Sequence, residues 1–224
     1  MSAYKLRRVI LVCVLLVAIA IPLASQPADI LNLPGTSTVD DSKIPADLAT
    51  LSVKGRAPKT GYERSQFGDG WQVVNGCDTR NIILARDLKN EVVDISCKVT
   101  KGFLDDPYTG RTIEFIRGEA TSDDVQIDHV VALSDAWQKG AQQLSYDARV
   151  ALANDPLNLL AVDGPTNQKK SDGDAATWLP PNKAFRCQYV ERQVKVKRKY
   201  SLWVTTAERE AMARVLGTCA NSNK

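Results

Sequence analysis

Cys77, Cys97, Cys187 and Cys219 constrain this chain more than any other residues, because of what precedes them. Lys5, Arg7 and Arg8 form a short positive region, an apolar run follows from Val9 to Ile21, and Pro22, Ala24 and Ser25 come next. That order reads as a secretory signal peptide over residues 1–28, with retention as an N-terminal membrane anchor as the alternative. The run falls short of the roughly 20 apolar residues of a membrane span. No cleavage register is clean, since Ala18-Ile19-Ala20 has the small-x-small form but lies inside the apolar run. Either way the remaining chain lies outside the cytoplasm, where thiols oxidise. Cys13 belongs to the leader, so an even set of four cysteines remains and implies two disulfides. Three connectivities are open. Cys77–Cys97 and Cys187–Cys219 are expected, because each closes a short loop between adjacent predicted elements. Zinc ligation is the other use of four cysteines, and the lack of any Cys-x-x-Cys pair counts against it.

Export also changes the charge argument. The full chain has 29 Lys and Arg against 26 Asp and Glu, a net charge of +3. The leader carries three basic residues and no acid, so its removal leaves 26 of each. A basic isoelectric point is therefore no argument for a polyanionic partner, and only local clusters count. Residues 29–58, with Pro34, Gly35, Pro45 and Pro58 among Ser, Thr and Asp, read as a linker or flexible arm, although Leu48, Leu51 and Val53 are able to dock as a short helix. Residues 59–224 make one domain of ordinary size.

The pattern along that domain is mixed, so an α+β fold is expected. Asp78 is placed to cap a helix through Ile82, Ile83 and Leu88. Strands around Cys97–Phe103 and Arg111–Ile116 flank the turn Asp105-Asp106-Pro107-Tyr108-Thr109-Gly110, a hairpin signal. A strand over 125–131 leads into helical stretches up to Asn154. Another strand is expected over 157–162, a turn at Asp163-Gly164-Pro165 and a short helix from Thr166. An amphipathic segment spans 183–200, and a last helix opens on the capping box Thr205-x-x-Glu208 and stops at Gly217.

The chemistry converges on the single histidine of the chain. His129 follows Asp128 in Gln126-Ile127-Asp128-His129-Val130-Val131. Neighbours on a strand point to opposite faces, so both residues share one site only at a strand end or a bulge. A carboxylate holds a hard divalent cation, and an imidazole that is neutral near pH 7 takes a proton from water. Downstream, Asn158 opens an apolar strand and Asn167 follows nine residues later at the start of a helix, with Lys169 and Lys170 beside it. Asn167 offers a carbonyl oxygen to a cation, and the two lysines offer positive charge to a phosphate at a helix N-terminus.

Asp128-His129, Asn158 and Asn167 resemble the HNH, or ββα-metal, endonucleases, in the branch with Asp-His first and Asn last. The blocks Asp69-Gly70-Trp71, Cys77-Asp78-Thr79-Arg80-Asn81 and Asp128-His129-Val130-Val131-Ala132-Leu133, with Trp137 and Gly140-Ala141, look like exported bacterial members of that family over roughly residues 58–190. The resemblance implies a disulfide-stapled α+β domain in which a ββα-metal core is surrounded by helices and an additional β-hairpin. It implies a secreted endonuclease that hydrolyses phosphodiester bonds of nucleic acid, DNA first, as a monomer with one divalent metal, Mg²⁺ before Mn²⁺. Asp128 and Asn167 would be the metal ligands and His129 the general base. Asn158 would hold the loop that carries His129, with Asn154 as its rival, and Lys170 would contact phosphate. The stretch between His129 and Asn158 is longer than the compact loop of many members.

Other residues carry weaker signals. Trp71, Trp137, Trp178 and Trp203 suit packing more than base stacking. Asp123 and Asp124 read as a solvated turn, and Asp172 and Asp174 as a capping loop. From Lys183 to Tyr200 there are seven basic residues and one acid, so Lys195, Lys197, Arg198 and Lys199 are candidates for tracking a phosphate backbone, or else a solvated helix face. An imidazole of ordinary pKa would lose activity below about pH 6.5. The alternatives are a non-catalytic secreted DNA-binding or adhesion module on the same scaffold, and a hydrolase of another phosphodiester such as a cell-wall polymer.

Overall fold

A computed structural model describes residues 45–118 and 122–222. The proposed leader and the first part of the proposed arm lie outside the described residues. In the described part of the proposed arm, residues 45–58, Leu48, Leu51 and Val53 take the docked alternative. Helix α1 (Ala46–Ala49) puts Leu48 fully inside the core beside Leu51, and Val53 bridges to Val204. The apolar residues at 48 and 51 outweigh the Pro- and Ser-rich composition around them.

A two-residue hairpin comes next, β1 (Val73–Val74) and β2 (Cys77–Asp78), turning on Asn75 and Gly76, both at positive φ. Asp78 caps helix α2 (Thr79–Asp87) as expected, its side chain accepting from the Asn81 backbone N–H at 2.8 Å. The expected hairpin forms the second and third strands of a three-stranded antiparallel sheet, β3 (Leu88–Val93), β4 (Val99–Asp105) and β5 (Thr112–Ile116), with β4 in the centre. Strand β3 was hidden because Lys89, Asn90 and Glu91 interrupt its apolar pattern on the exposed side.

Two strands build the site, and they pair antiparallel across an insertion. Strand β6 (Val125–His129) runs against β7 (Leu159–Asp163) with His129 opposite Leu159 and Asp128 opposite Leu160. Between them lie α3 (Leu133–Gln138) and α4 (Tyr146–Asn154). All five residues of β7 are buried because both its faces are covered. Leu159 and Ala161 enter one apolar cluster with Ile83, Leu84 and Phe115, while Leu160 and Val162 enter another with Tyr108, Tyr189 and Met212. The period of two delivers alternate side chains to two cores.

Helix α5 (Gly164–Lys170) starts at Gly164, two residues earlier than the turn signal suggests, because Asp163 caps it by accepting from Thr166 N–H at 2.9 Å. Gly164 is dictated by space: a Cβ there would sit 1.9 Å from the Asp123 carbonyl oxygen. Helix α6 (Arg186–Lys199) and helix α7 (Thr206–Ser222) close the domain, and α7 continues past Gly217. Both expected disulfides form, Cys77–Cys97 and Cys187–Cys219.

A buried charge cluster joins these helices. Lys139 Nζ lies 2.7 Å from Asp135, 2.7 Å from Asp174 and 2.6 Å from Glu208. Lys197 Nζ sits 3.0 Å from Glu208 and 3.5 Å from Asp135, and Arg56 bridges Asp135 and Asp174 from the rim. Three cations meet three anions, which is the condition for burying them at all. Glu208 therefore gives its carboxylate to the cluster; Thr205 still accepts from Glu208 N–H at 3.2 Å.

Candidate active site

Strand β6 presents two chemistries on two faces. Gln126 and Asp128 point toward α5, where Asn167 and Lys170, three residues apart and so on one helix face, meet them. Asn167 Nδ2 donates to Gln126 Oε1 at 3.0 Å, and Lys170 Nζ donates to Asp128 Oδ1 at 2.9 Å. His129 points the other way, toward the end of α4. Its Nε2 lies 2.9 Å from the Ala153 carbonyl oxygen. A carbonyl only accepts, so Nε2 carries the proton and Nδ1 holds the free lone pair. Because β6 ends at His129, both side chains reach the same open cleft of about 570 Å³, which Asn167 also lines.

The backbone after His129 is held at every polar group up to Val131. Lys170 Nζ donates to the His129 carbonyl at 2.9 Å, Val130 N–H donates to the Asn158 carbonyl at 2.8 Å, and Gln193 Nε2 donates to the Val130 carbonyl at 3.1 Å. The Asn158 side chain takes Val131 N–H at 2.8 Å and returns its amide to the Val131 carbonyl at 3.3 Å. Asn154 serves elsewhere, accepting from Gln72 N–H at 2.9 Å and so fixing the loop of Trp71.

Burial sets the protonation states. His129 is 7 % exposed and lies under Trp71, their rings 9° from parallel with centroids 5.8 Å apart. Desolvation pushes its pKa down to about 3, against the hydrogen bond to Ala153 and helped by the charges of Arg64 and Lys170. The acid limb expected near pH 6.5 is therefore displaced downward. Burial likewise raises Asp128 above the ordinary carboxylate range, although Lys170 and the Tyr108 hydroxyl, 2.5 Å from Oδ2, pull it down. Tyr108 reaches it from the β4–β5 turn, which Asp106 bolts to β7 by accepting from Asp163 N–H at 2.9 Å.

The expected substrate-binding lysines are placed otherwise. Lys170 is fully buried in its ion pair with Asp128, so it does not face a phosphate. Lys169 is exposed on α5 but does not line the cleft. None of the four α6 candidates lines it either. Lys197 is in the buried cluster, Arg198 pairs with Asp47, Lys199 pairs with Asp155 at 2.7 Å, and Lys195 borders a separate groove near Leu48. Three of these four charges are neutralised by acids distant in sequence.

The positive wall of the cleft comes instead from Lys59, Arg64 and Arg80. Lys59 pairs with Asp172 at 3.2 Å. Arg64 and Arg80 have no hydrogen bond or ion pair among the described residues. Burial and the nearby Arg117 hold the Arg80 guanidinium below its ordinary range, which an anion beside it would relieve. Arg80 follows the Asp78 cap on α2, the one signal by which it was findable; Arg64 sits in a 3-10 turn with no motif. Asp123 also lines the cleft. Among the described residues no group of three or more His, Cys, Asp or Glu gathers to hold a metal ion. The donors available to a cation are the remaining lone pairs of Asp128 and Asn167 Oδ1, whose amide nitrogen is already committed to Gln126.

Fold and cleft together define a disulfide-bridged α+β domain that brings a neutral imidazole, a carboxylate and unpaired guanidiniums to one opening. The chain belongs to the family described as GmrSD restriction endonucleases, C-terminal domain, which it matches over residues 80–215, and is thereby related to nucleases. It is also 37 % identical over 213 residues to an "Uncharacterized secreted protein" of Arthroderma benhamiae, covering 94 % of this chain and 97 % of the relative. No solved structure matches. The bacterial origin expected of exported relatives is supplied by neither match. A secreted relative and two disulfides fit an extracellular setting, and no helix of the described residues is long and apolar enough to cross a membrane.

Proposed function

We propose that the protein is a secreted metal-dependent endonuclease with a ββα-metal arrangement made by β6, β7 and α5. The observation that carries this is the pairing in one cleft of His129, its Nδ1 lone pair free, with Asp128, Asn167 and the unpaired Arg64 and Arg80. His129 accepts the proton of the attacking water at Nδ1, while the Ala153 carbonyl fixes its tautomer. Arg64 and Arg80 bind the phosphodiester and offset the negative charge that develops on it. Lys170 and Tyr108 orient the Asp128 carboxylate, and Asn158 holds the chain that follows His129.

A base of pKa about 3 is a weak proton acceptor and needs an acidified water. Asp128 and Asn167 Oδ1, both oxygen donors, would hold a hard divalent cation, Mg²⁺ before Mn²⁺. Such an ion would lower the pKa of water and stabilise the phosphorane and leaving oxygen.

The test is digestion of double-stranded DNA, single-stranded DNA and RNA with and without EDTA, by the native protein and by variants. His129→Ala is expected to lower turnover by about 10²- to 10⁴-fold with metal binding intact. Asp128→Ala and Asn167→Ala are expected to weaken metal binding, in part rescued by added Mg²⁺ or Mn²⁺. Cleavage by His129→Ala at the native rate would remove the mechanism. Binding of DNA without metal-dependent cutting would favour the non-catalytic module.

A further inference from the structure

We propose that a small apolar pocket beside the cleft is a nucleobase subsite, which takes the unpaired base of the nucleotide next to the scissile phosphate. The pocket has a volume of about 140 Å³ and is walled by Trp71, Phe67, Leu133 and the backbone of Gly68 and Gly70. That is room for about five waters at roughly 30 Å³ each, or for one planar heterocycle. Arg64, His129 and Leu133 line both this pocket and the cleft, so a group inside it is one short linkage from the catalytic imidazole.

The walls suit a base. Trp71 is half-buried, held parallel to His129, and its loop is anchored where Gln72 N–H meets Asn154. Gly68 and Gly70 adopt φ of 101° and 137°, conformations open to glycine, and leave the rim without side chains. Arg64, unpaired at the junction, is positioned for the phosphate between base and cleft. Aromatic walls with a cation at the backbone are how sequence-tolerant sites hold single strands. A duplex base must leave its stack to enter, so single-stranded or distorted nucleic acid is the favoured substrate.

This inference rests on the phosphodiesterase reading of the cleft, and binding separates the two. Calorimetric titration of the oxidised protein in Mg²⁺ compares thymidine 5′-phosphate, thymidine 3′-phosphate and methyl phosphate. At least one nucleotide is expected to bind about 5- to 140-fold more tightly than methyl phosphate, the range of one stacked base. Trp71→Ala should bring that ratio close to one, and Trp71→Phe should keep most of it. Equal affinities for the three ligands overturn the subsite without any variant, and so does a ratio that Trp71→Ala leaves unchanged. A base preference in a protein that cuts no DNA keeps the subsite and discards the nuclease; cutting without a base preference does the reverse.

Discussion

Lys170 and Asp128 form a buried ion pair of 2.9 Å, with the same ammonium bonded to the carbonyl oxygen of His129. The lysine thus acts on both candidate catalytic residues while remaining out of reach of substrate. Lys170→Met is expected to cost about 3–5 kcal/mol of stability, because it leaves a buried carboxylate uncompensated. Denaturant unfolding measures this. A phosphate contact would instead weaken substrate binding at nearly native stability, and that outcome would contradict the assignment. Combining Lys170→Met with Asp128→Asn should recover a good part of the loss.

The only histidine is its own reporter. With a pKa near 3 in the folded protein against about 6.5 unfolded, His129 stays neutral from pH 8 to below 5. The pH–rate profile should therefore lack an acid limb near 6.5. The folded-state pKa is depressed, so its contribution to stability is complete above about pH 6.5. It is lost as pH falls toward 3, at about 1.4 kcal/mol per pH unit. NMR titration of the imidazole checks both. Trp71→Ala, which lets water onto the ring, should move the pKa upward; an imidazole titrating near 6.5 in the native protein would refute the burial argument.

Substrate affinity should follow the arginines of the cleft. Arg64→Ala and Arg80→Ala are each expected to raise KM and to lower the salt slope of binding by about one. Reversing Lys195 should do neither. Reversing Lys197 should destabilise the fold, since it would add a third carboxylate where Asp135 and Glu208 already converge. Filter binding over a salt series, paired with thermal melts, distinguishes these effects.

Reduction should loosen the C-terminal half most. Cys187–Cys219 ties α6 to α7, and its loss is expected to cost about 2–5 kcal/mol. Thermal melts of the Cys187→Ala, Cys219→Ala variant against the native protein measure it; an unchanged melting temperature would mean that helix packing alone suffices.

Much of the frame was legible from local signals. The cap at Asp78, the turn before Gly110 and the strands around Asp128 and Leu160 were readable because each depends on a few neighbouring residues; the disulfides were expected from an even cysteine count and short loops, over separations of 20 and 32 residues. The spacing of Asn158 and Asn167 drew attention to both; the Asn158 amide holds Val131, and Asn167 lines the cleft. Strand β3 was not, since its exposed positions interrupt the alternation that marks a strand. Charge was the least readable property. Lys170 and Lys197 look alike in sequence to Lys169 and Lys195, yet two are buried and two exposed. The difference lies in carboxylates 42 and 62 residues away, at Asp128 and Asp135. Arg64 carries no motif, and the role of Arg80 beside the Asp78 cap became visible only when tertiary structure set both arginines in the lining of one opening.

The cluster of Arg56, Asp135, Lys139, Asp174, Lys197 and Glu208 has a consequence for how this domain can diverge. Its members come from five separate stretches of chain, and all but the rim residue Arg56 are sealed from water against partners of opposite sign. A lineage that loses one of the five buried members inherits an unbalanced charge it has no water to dissolve. Drift at these six positions is then concerted: they are kept as a set, or exchanged in neutral pairs, while the exposed surface around them varies freely.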